Sequence, residues 1–145
     1  MHYVVLRDDD TNALTPIECL ERLYRPFLDR GLAVNLATIP NVGTDVRYGE
    51  GILEGFLIAR NGAARPFVPI GDNEKLVAYL RTNPTYHVVQ HGCNHDFPKG
   101  RCEFDQSDRD DIVRRIERGC ALLREAGLGT PETFVAPYDR FTPLS

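Results

Sequence analysis

The 145-residue sequence contains no tryptophan and one methionine, and no run of aromatic residues marks a sugar-binding groove. None of its apolar runs approaches the ~20 residues that a membrane-spanning helix needs. It has no basic tract either, since 17 lysines and arginines are outnumbered by 21 aspartates and glutamates, for a formal net charge of −4. The sequence therefore favours neither a membrane protein nor a nucleic-acid-binding protein.

The four cysteines lack the CxxC spacing of redox or zinc motifs. Cys19 and Cys120 fall within helix-like patterns and are predicted to be small core residues. The first residues lead directly into an apolar run, which leaves no room for a signal peptide. We therefore expect a reduced, cytoplasmic protein.

Apolar residues make up 42% of the chain and charged residues 26%, which indicates one globular domain over residues 1–145. The apolar patterns predict strands at 2–7, 32–39, 86–90 and 133–136, and helices at 15–31, 72–82 and 107–127. The segment 41–71, rich in glycine, is predicted to be an ordered insertion with a hairpin. This alternation of strand and helix predicts an α/β fold, with a parallel sheet and helices packed outside it.

The final residues repeat a helix-start pattern without a helix to follow. Thr142-Pro143 matches Thr15-Pro16, yet only two residues come after it. A four-stranded parallel sheet that stops where a helix should begin is typical of part of a barrel. We therefore expect the chain to be truncated at its C-terminus.

Three of the four predicted strands end in residues that stability alone does not require: Asp8-Asp9-Asp10, the run from His91 to His95, and the run from Ala136 to Asp139. The carboxyl ends of parallel strands gather functional groups at one edge of a sheet. Adjacent carboxylates repel one another unless a cation is present. One carboxylate and two imidazoles can hold a transition metal and leave positions open for water and substrate.

In order and spacing, these motifs resemble those of the polysaccharide deacetylase, or NodB-homology, family. The run Leu6 to Asn12 lies in register with the family's Thr-Phe-Asp-Asp-Gly-Pro motif, and Thr15-Pro16 follows it. The run from His91 to His95 is similar to His-(Ser/Thr)-x-x-His, and Val135 to Tyr138 is similar to Arg-x-Pro-Tyr. The resemblance implies the N-terminal part of a distorted seven-stranded (β/α) barrel.

The resemblance also implies a divalent metal, most commonly zinc, held by Asp9, His91 and His95. Asp10 stands where the family has a glycine, which makes it the less favoured ligand. The neighbouring register, with Asp10 as the ligand, stays open.

By the same resemblance, Asp8 is the catalytic base, the backbone N–H of Tyr138 stabilises the oxyanion, and Pro137 contributes to substrate binding. Two positions depart from the family. Val135 replaces an arginine that orients the catalytic aspartate, and Gly92 replaces a residue whose hydroxyl supports the histidine loop.

The implied activity is metal-dependent hydrolysis of a non-peptide C–N bond, which removes an acyl group from an N-acetylated sugar or cleaves a related amide. The implied partner is a carbohydrate or small-molecule substrate, and the sequence does not define the oligomeric state. The family's general acid is expected beyond Ser145. We expect the insertion to border the site, with Asn41, Arg47 or Arg65 facing the substrate.

Three alternatives stay open. A structural zinc site could use His91, Cys93, His95 and Cys102. A non-haem iron oxygenase also uses two histidines and a carboxylate, although such enzymes usually have antiparallel barrels. The third alternative is a catalytically inactive metal-binding domain.

Overall fold

The computed structural model describes residues 2–49, 51–57 and 65–143. The strands are β1 (Arg7–Thr11), β2 (Val34–Thr38), β3 (Asn41–Gly43), β4 (Arg47–Tyr48), β5 (Ile52–Leu53), β6 (Phe67–Pro69), β7 (Tyr86–His91) and β8 (Phe134–Val135). The α-helices are α1 (Ile17–Leu28), α2 (Glu74–Thr82) and α3 (Arg109–Glu125). Short 3₁₀ helices cover Gly55–Leu57, Ile70–Asp72, Pro98–Gly100 and Pro137–Asp139. None of the helices in these ranges is long and apolar enough to cross a membrane.

The main sheet has four strands in the order β1-β2-β7-β8, and all three neighbouring pairs are parallel. In the central pair, β2 and β7 run in register from Val34 beside Tyr86 to Thr38 beside Gln90. The parallel α/β architecture predicted from the sequence is confirmed. The seven-stranded barrel stays a prediction, since the described residues form four strands of such a sheet.

The main core lies between this sheet and the three helices. Its buried members share apolar side chains and come from every layer: Leu20, Leu28, Val34, Leu36, Ile70, Leu76, Leu80, Tyr86 and Leu123. Fully burying a leucine or valine side chain contributes about 1.5–3 kcal/mol. This cluster therefore holds the helices on the sheet and fixes the positions of the strand ends.

Side-chain caps start two of the helices. Asp108 accepts a hydrogen bond from the Asp111 amide at 3.1 Å and caps α3. The cap of α2 is Asn73, which accepts from the Leu76 amide at 3.0 Å. The helix predicted from residue 72 therefore begins two residues later, because Asp72 ends the preceding 3₁₀ helix and pairs with Arg65.

The first strand lies further along the chain than its apolar run suggests. Residues 2–7 were expected to form it, but β1 covers Arg7–Thr11 and contains the three aspartates. Val4 and Val5 are exposed. Pairing with β2, which places Arg7 beside Asn35, decides the position of the strand and overrides local β-propensity.

The insertion forms two small antiparallel sheets, β3 with β6 and β4 with β5, so the expected hairpin is present. A second apolar cluster beneath it includes Ile39, Val42 and Leu57. The Asn41 amide donates to the Cys93 carbonyl at 2.9 Å, and the Gly43 amide donates to the Asn94 carbonyl at 3.1 Å. The insertion therefore packs at the carboxyl edge of the main sheet.

Candidate metal centre

Three potential ligands meet at the carboxyl edge of the sheet. Asp10 lies near the end of β1, His91 ends β7, and His95 lies in the loop that follows. Asp10 Oδ1 is 3.3 Å from His91 Nε2 and 3.1 Å from His95 Nε2, and the three ligand atoms lie within 4.8 Å of one another. The two histidines are buried and Asp10 is half-buried.

This geometry fits a divalent ion. Two ligands bound tetrahedrally at ~2.0–2.1 Å lie ~3.3–3.4 Å apart, close to both aspartate–histidine separations. Asp10 Oδ1 is buried, and no hydrogen bond of good geometry satisfies it within the described part of the chain. Burial alone would raise the pKa of Asp10, but the two histidine rings outweigh it and lower the pKa below its ordinary value. The Asp10 carboxylate is therefore ionised, which is the state that binding of a cation requires.

The surroundings of the histidine rings direct one nitrogen of each toward Asp10. His91 Nδ1 lies 3.0 Å from the Val135 carbonyl oxygen, so an N–H at Nδ1 can donate there and leave Nε2 free for a metal. The His95 ring packs edge-on against Phe56, with ring centres 5.2 Å apart. It also packs against Tyr138 in a tilted arrangement, with ring centres 4.5 Å apart. Strand β8 and the insertion therefore help to orient both histidines.

The structure places Asp10, and not the expected ligand Asp9, against the two histidines. The β1–β2 register shifts between Asp8 and Thr11, and Asp10 adopts a left-handed conformation with φ of 70°. This irregularity redirects the side chains at the strand end. Asp9 forms an ion pair with Arg7, whose Nε lies 2.8 Å from Asp9 Oδ1.

The expected base Asp8 faces away from this centre. Its carboxylate interacts with the hydroxyl of Tyr24 on α1, and Asp8 does not line the cavity beside the histidines. Burial raises the pKa of Asp8, and the neighbouring aspartates add to the increase against the Tyr24 hydrogen bond. Asp9 rather than Asp8 lines this cavity together with Asp10, because the irregularity between Asp8 and Thr11 interrupts the alternation of faces along the strand.

The cavity at the centre has a volume of 260 Å³. Its lining includes the three ligands together with Asp9, Glu54, Ala136, Tyr138 and Asp139. The Tyr138 hydroxyl donates a hydrogen bond to Glu54, which is 9% exposed. Burial raises the pKa of Tyr138, and the hydrogen bond to Glu54 raises it further, so the phenol stays protonated. Pro137 is buried and does not line the cavity, which leaves its expected contact with substrate unsupported.

The insertion borders the centre through residues other than those expected. Glu54 lines the cavity and Phe56 contacts His95. Asn41 donates to Asn94, while Arg47 pairs with Asp45 and Arg65 pairs with Asp72. The predicted position of the insertion is confirmed, whereas its three predicted substrate residues point elsewhere.

Unusual backbone conformations collect at this edge. Four of the five non-glycine residues with positive φ in the described chain belong to it: Asp10, His95, Tyr138 and Asp139. Such conformations cost of order 1–3 kcal/mol each and are typical of functional sites. The surrounding packing therefore holds these residues in position at some cost in stability.

The structural zinc site with two cysteine ligands is not formed. Within the described ranges, the one group that could hold a metal contains Asp10 and the two histidines, without Cys93 or Cys102. Burial raises the pKa of Cys93 to about 12, and the nearby Glu103 carboxylate adds to this, so its thiol stays protonated. A protonated thiol is a poor zinc ligand.

Sequence reasoning missed three residues that shape this edge: Arg7, Glu54 and Glu103. Arg7 directly precedes the aspartates, and a cation beside three carboxylates is a local signal that could have identified it. Glu54 and Glu103 carry no such signal, because each belongs to a segment whose path depends on the tertiary fold.

The sheet and its edge define a parallel α/β protein with a candidate Asp-His-His metal centre. No protein-family model and no curated protein matches the chain. One solved structure of similar fold is a family 4 carbohydrate esterase from Streptomyces lividans in complex with acetate, with a TM-score of 0.60 and 18% identity. That match covers 98% of this chain and 54% of the esterase chain.

A second similar structure is IcaB from Ammonifex degensii, with a TM-score of 0.60 and 16% identity over 97% of this chain and 52% of that chain. The chain thus spans about half the length of both structures. Identities this low show a shared fold. Both neighbours share the fold of this chain, so the expected parallel α/β architecture is confirmed, whereas the seven-stranded barrel stays a prediction.

Proposed function

We propose that the chain belongs to a metal-dependent hydrolase that removes acyl groups from N-acetylated sugars or cleaves a related C–N amide bond. The observation that carries this proposal is the meeting of Asp10, His91 and His95 at one cavity, beside a second carboxylate, Asp9. One anionic and two neutral ligands leave coordination positions open, which is typical of catalytic rather than structural zinc sites.

A divalent ion bound by these ligands, which we propose to be zinc, would polarise a carbonyl group and make a bound water more acidic. The chain's own part in the reaction begins with Asp10, which supplies the negative charge. The two histidine rings supply neutral nitrogen ligands. The buried walls around His91 and His95 limit access of bulk water to the ligands.

Asp9 is proposed as the general base in place of Asp8. Its carboxylate lines the same cavity as the ligands and can accept the proton of the attacking water. Arg7 Nη2 donates to Asp9 Oδ2 at 2.9 Å and holds this carboxylate in position. Arg7 thus supplies the orienting guanidinium that Val135 cannot supply.

Tyr138 is proposed to stabilise the oxyanion through its backbone N–H, as the family resemblance implies. Its left-handed backbone, with φ of 60°, fixes the orientation of its peptide groups beside the histidines. Its hydroxyl is engaged by Glu54. This engagement holds the side chain of Tyr138 in place beside the cavity, where its backbone N–H would act.

The proposed acyl group is acetyl, and the proposed substrate is a carbohydrate. Support comes from the fold shared with a carbohydrate esterase that was determined in complex with acetate. The non-haem iron alternative uses similar ligands but is usually built on antiparallel strands, whereas this sheet is parallel. The fold therefore favours hydrolysis over oxygenation.

Release of acetate from N-acetylglucosamine oligomers by the zinc-loaded chain tests the proposal. We expect acetate release that stops when a chelator removes the metal and returns when zinc is restored. Asp45→Asn is a matched control, because Asp45 is an exposed carboxylate of the insertion outside the cavity. Acetate release that persists without metal, or no release under any metal loading, would contradict the proposal.

A further inference from the structure

We infer that Glu103 is a positioning residue that holds the two histidines in a metal-binding arrangement; this inference rests on the proposed metal site. We define the ligand loop as residues 92–96, which follow His91, contain His95 and end at Asp96. Glu103 lies outside this loop, in the segment that leads to α3, and its side chain is completely buried beneath the loop.

The Glu103 carboxylate accepts hydrogen bonds from three consecutive amides of the ligand loop. Cys93 N–H donates to both carboxylate oxygens, at 3.1 and 3.0 Å. Asn94 N–H donates to Oε1 at 3.0 Å, and His95 N–H donates to Oε2 at 2.9 Å. A single side chain therefore fixes the peptide groups that set the position of His95.

The position of Glu103 is itself fixed from two sides. Arg115 Nη1 on α3 lies 3.2 Å from Glu103 Oε1 and 3.1 Å from Asp96 Oδ1. Arg115 therefore connects both Glu103 and the last residue of the ligand loop to the helix. The neighbouring Phe104 is fully buried and packs against Phe134 with ring centres 4.8 Å apart. The position of the carboxylate is thus fixed by Arg115 of α3 and, through Phe104, by Phe134 of β8.

The Glu103 carboxylate fills the space next to the Cα of Gly92. Gly92 has a φ of 61°, and a Cβ at this position would overlap Glu103 Oε2 and lie 2.5 Å from Pro137 Cγ. The missing hydroxyl at Gly92 is therefore replaced by a carboxylate that approaches from another segment. Glu103 needs a glycine at this position, and the two residues form one arrangement.

Stability alone does not account for a charged group in this place. Removing a carboxylate from water is costly, and replacing a buried ion pair by apolar packing is often neutral or stabilising. What an apolar residue cannot do is accept hydrogen bonds from three adjacent amides. The geometry therefore assigns Glu103 to the orientation of the loop that carries His95.

Glu103→Gln tests this role with little change in shape. Glutamine keeps one acceptor oxygen, but its amide group would place N–H donors against the loop amides and remove the charge opposite Arg115. In the metal-free protein, we expect the amides of Cys93, Asn94 and His95 to exchange with solvent at least ~10-fold faster in the variant, in line with local loss of protection. Amides of the central strand β2 serve as the internal reference.

Zinc affinity and the visible spectrum of the cobalt-loaded protein form the second readout. Loss of a residue that supports metal ligands typically lowers metal affinity ~10–100-fold, and we expect that range for Glu103→Gln. We also expect an altered cobalt spectrum, because the His95 ring changes orientation. Val77→Ala is the control for lost stability, since Val77 is buried on α2 outside the ligand loop.

The outcomes separate this inference from the proposed function. A folded Glu103→Gln protein with wild-type zinc affinity and unchanged exchange of the three amides would overturn the inference. If the variant does not fold, the wild-type exchange rates decide, because rapid exchange of these amides would contradict a holding role. A wild-type chain that binds no zinc overturns the proposed function, whereas its amide exchange still reports whether Glu103 holds the loop.

Discussion

The two sides of the metal centre are built in different ways. The histidine side, carried by β7 and the ligand loop, is held from beneath by Glu103 and by the Val135 carbonyl. The aspartate side, carried by β1, depends on a register irregularity and leaves Asp10 Oδ1 buried without a well-formed hydrogen bond to the described residues. The comparison indicates that the protein orients the histidines in advance, whereas the aspartate would be satisfied by the proposed cation.

The largest expected effect is the loss of metal when a histidine ligand is removed. His95→Ala leaves two protein ligands and should abolish stoichiometric zinc binding in a calorimetric titration. His87→Ala is the matched control, since His87 lies on β7 before His91, is exposed and does not line the cavity. If His87→Ala fails to bind zinc and His95→Ala binds it, the assignment of His95 as a metal ligand is wrong.

The next effect concerns the aspartate side and the proposed base. Asp9→Asn should lower the rate of acetate release ~10²–10⁴-fold and leave zinc binding intact, because a general base is not needed for coordination. Asp8→Asn is the matched control, and we expect near wild-type rates because its side chain lies against Tyr24. A large loss of rate in Asp8→Asn, with a near wild-type rate in Asp9→Asn, would instead identify Asp8 as the base.

A smaller effect tests how tightly the ligand loop is packed. Gly92→Ala should destabilise the protein by about 2–4 kcal/mol, since left-handed strain and overpacking each contribute. Gly31→Ala has a similar φ of 67° but no neighbouring atom within 4 Å of the added Cβ, so only the strain, about 1–2 kcal/mol, should apply. Equal losses in denaturant unfolding would show that the space beneath the loop is not filled.

The smallest effect concerns the outer part of the Arg115 network. The hydrogen bond from Arg115 lowers the pKa of Asp111, so the pair stabilises the fold above the unfolded carboxyl pKa and loses this contribution as pH falls through the lower folded value. Asp111→Asn should therefore cost about 0.2–1 kcal/mol at neutral pH and less in acid. Asp110→Asn, in the same first turn of α3, is the control, and urea unfolding at several pH values is the measurement.

The fold and the general location of the centre follow from local sequence signals. Apolar runs predicted β2 and β7 closely, and the start of α3 at Arg109 lies within two residues of the predicted start at 107. Because the strand ends of a parallel sheet meet at one edge, the motifs after β1, β7 and β8 could be placed together before any coordinates were known.

The register of the aspartates could not be predicted in the same way. Which carboxylate faces the histidines depends on an irregularity near Asp10, and this arises from pairing with β2 rather than from the residues themselves. Glu54 and Glu103 reach the edge through tertiary packing, which no local sequence pattern indicates. A one-residue change in register exchanges the two faces of a strand, which is why the proposed ligand and the proposed base each lie one position after the expected residue.

The most direct test of this account is a zinc titration of three proteins: the wild-type chain, Asp10→Asn and Asp9→Asn. The two variants remove one adjacent charge each, so they differ in position rather than in net charge. We predict that wild type and Asp9→Asn each bind one zinc ion, with similar affinity, and that Asp10→Asn loses most of this affinity. Strong binding by Asp10→Asn, with loss in Asp9→Asn, would contradict the assignment of Asp10 as the ligand.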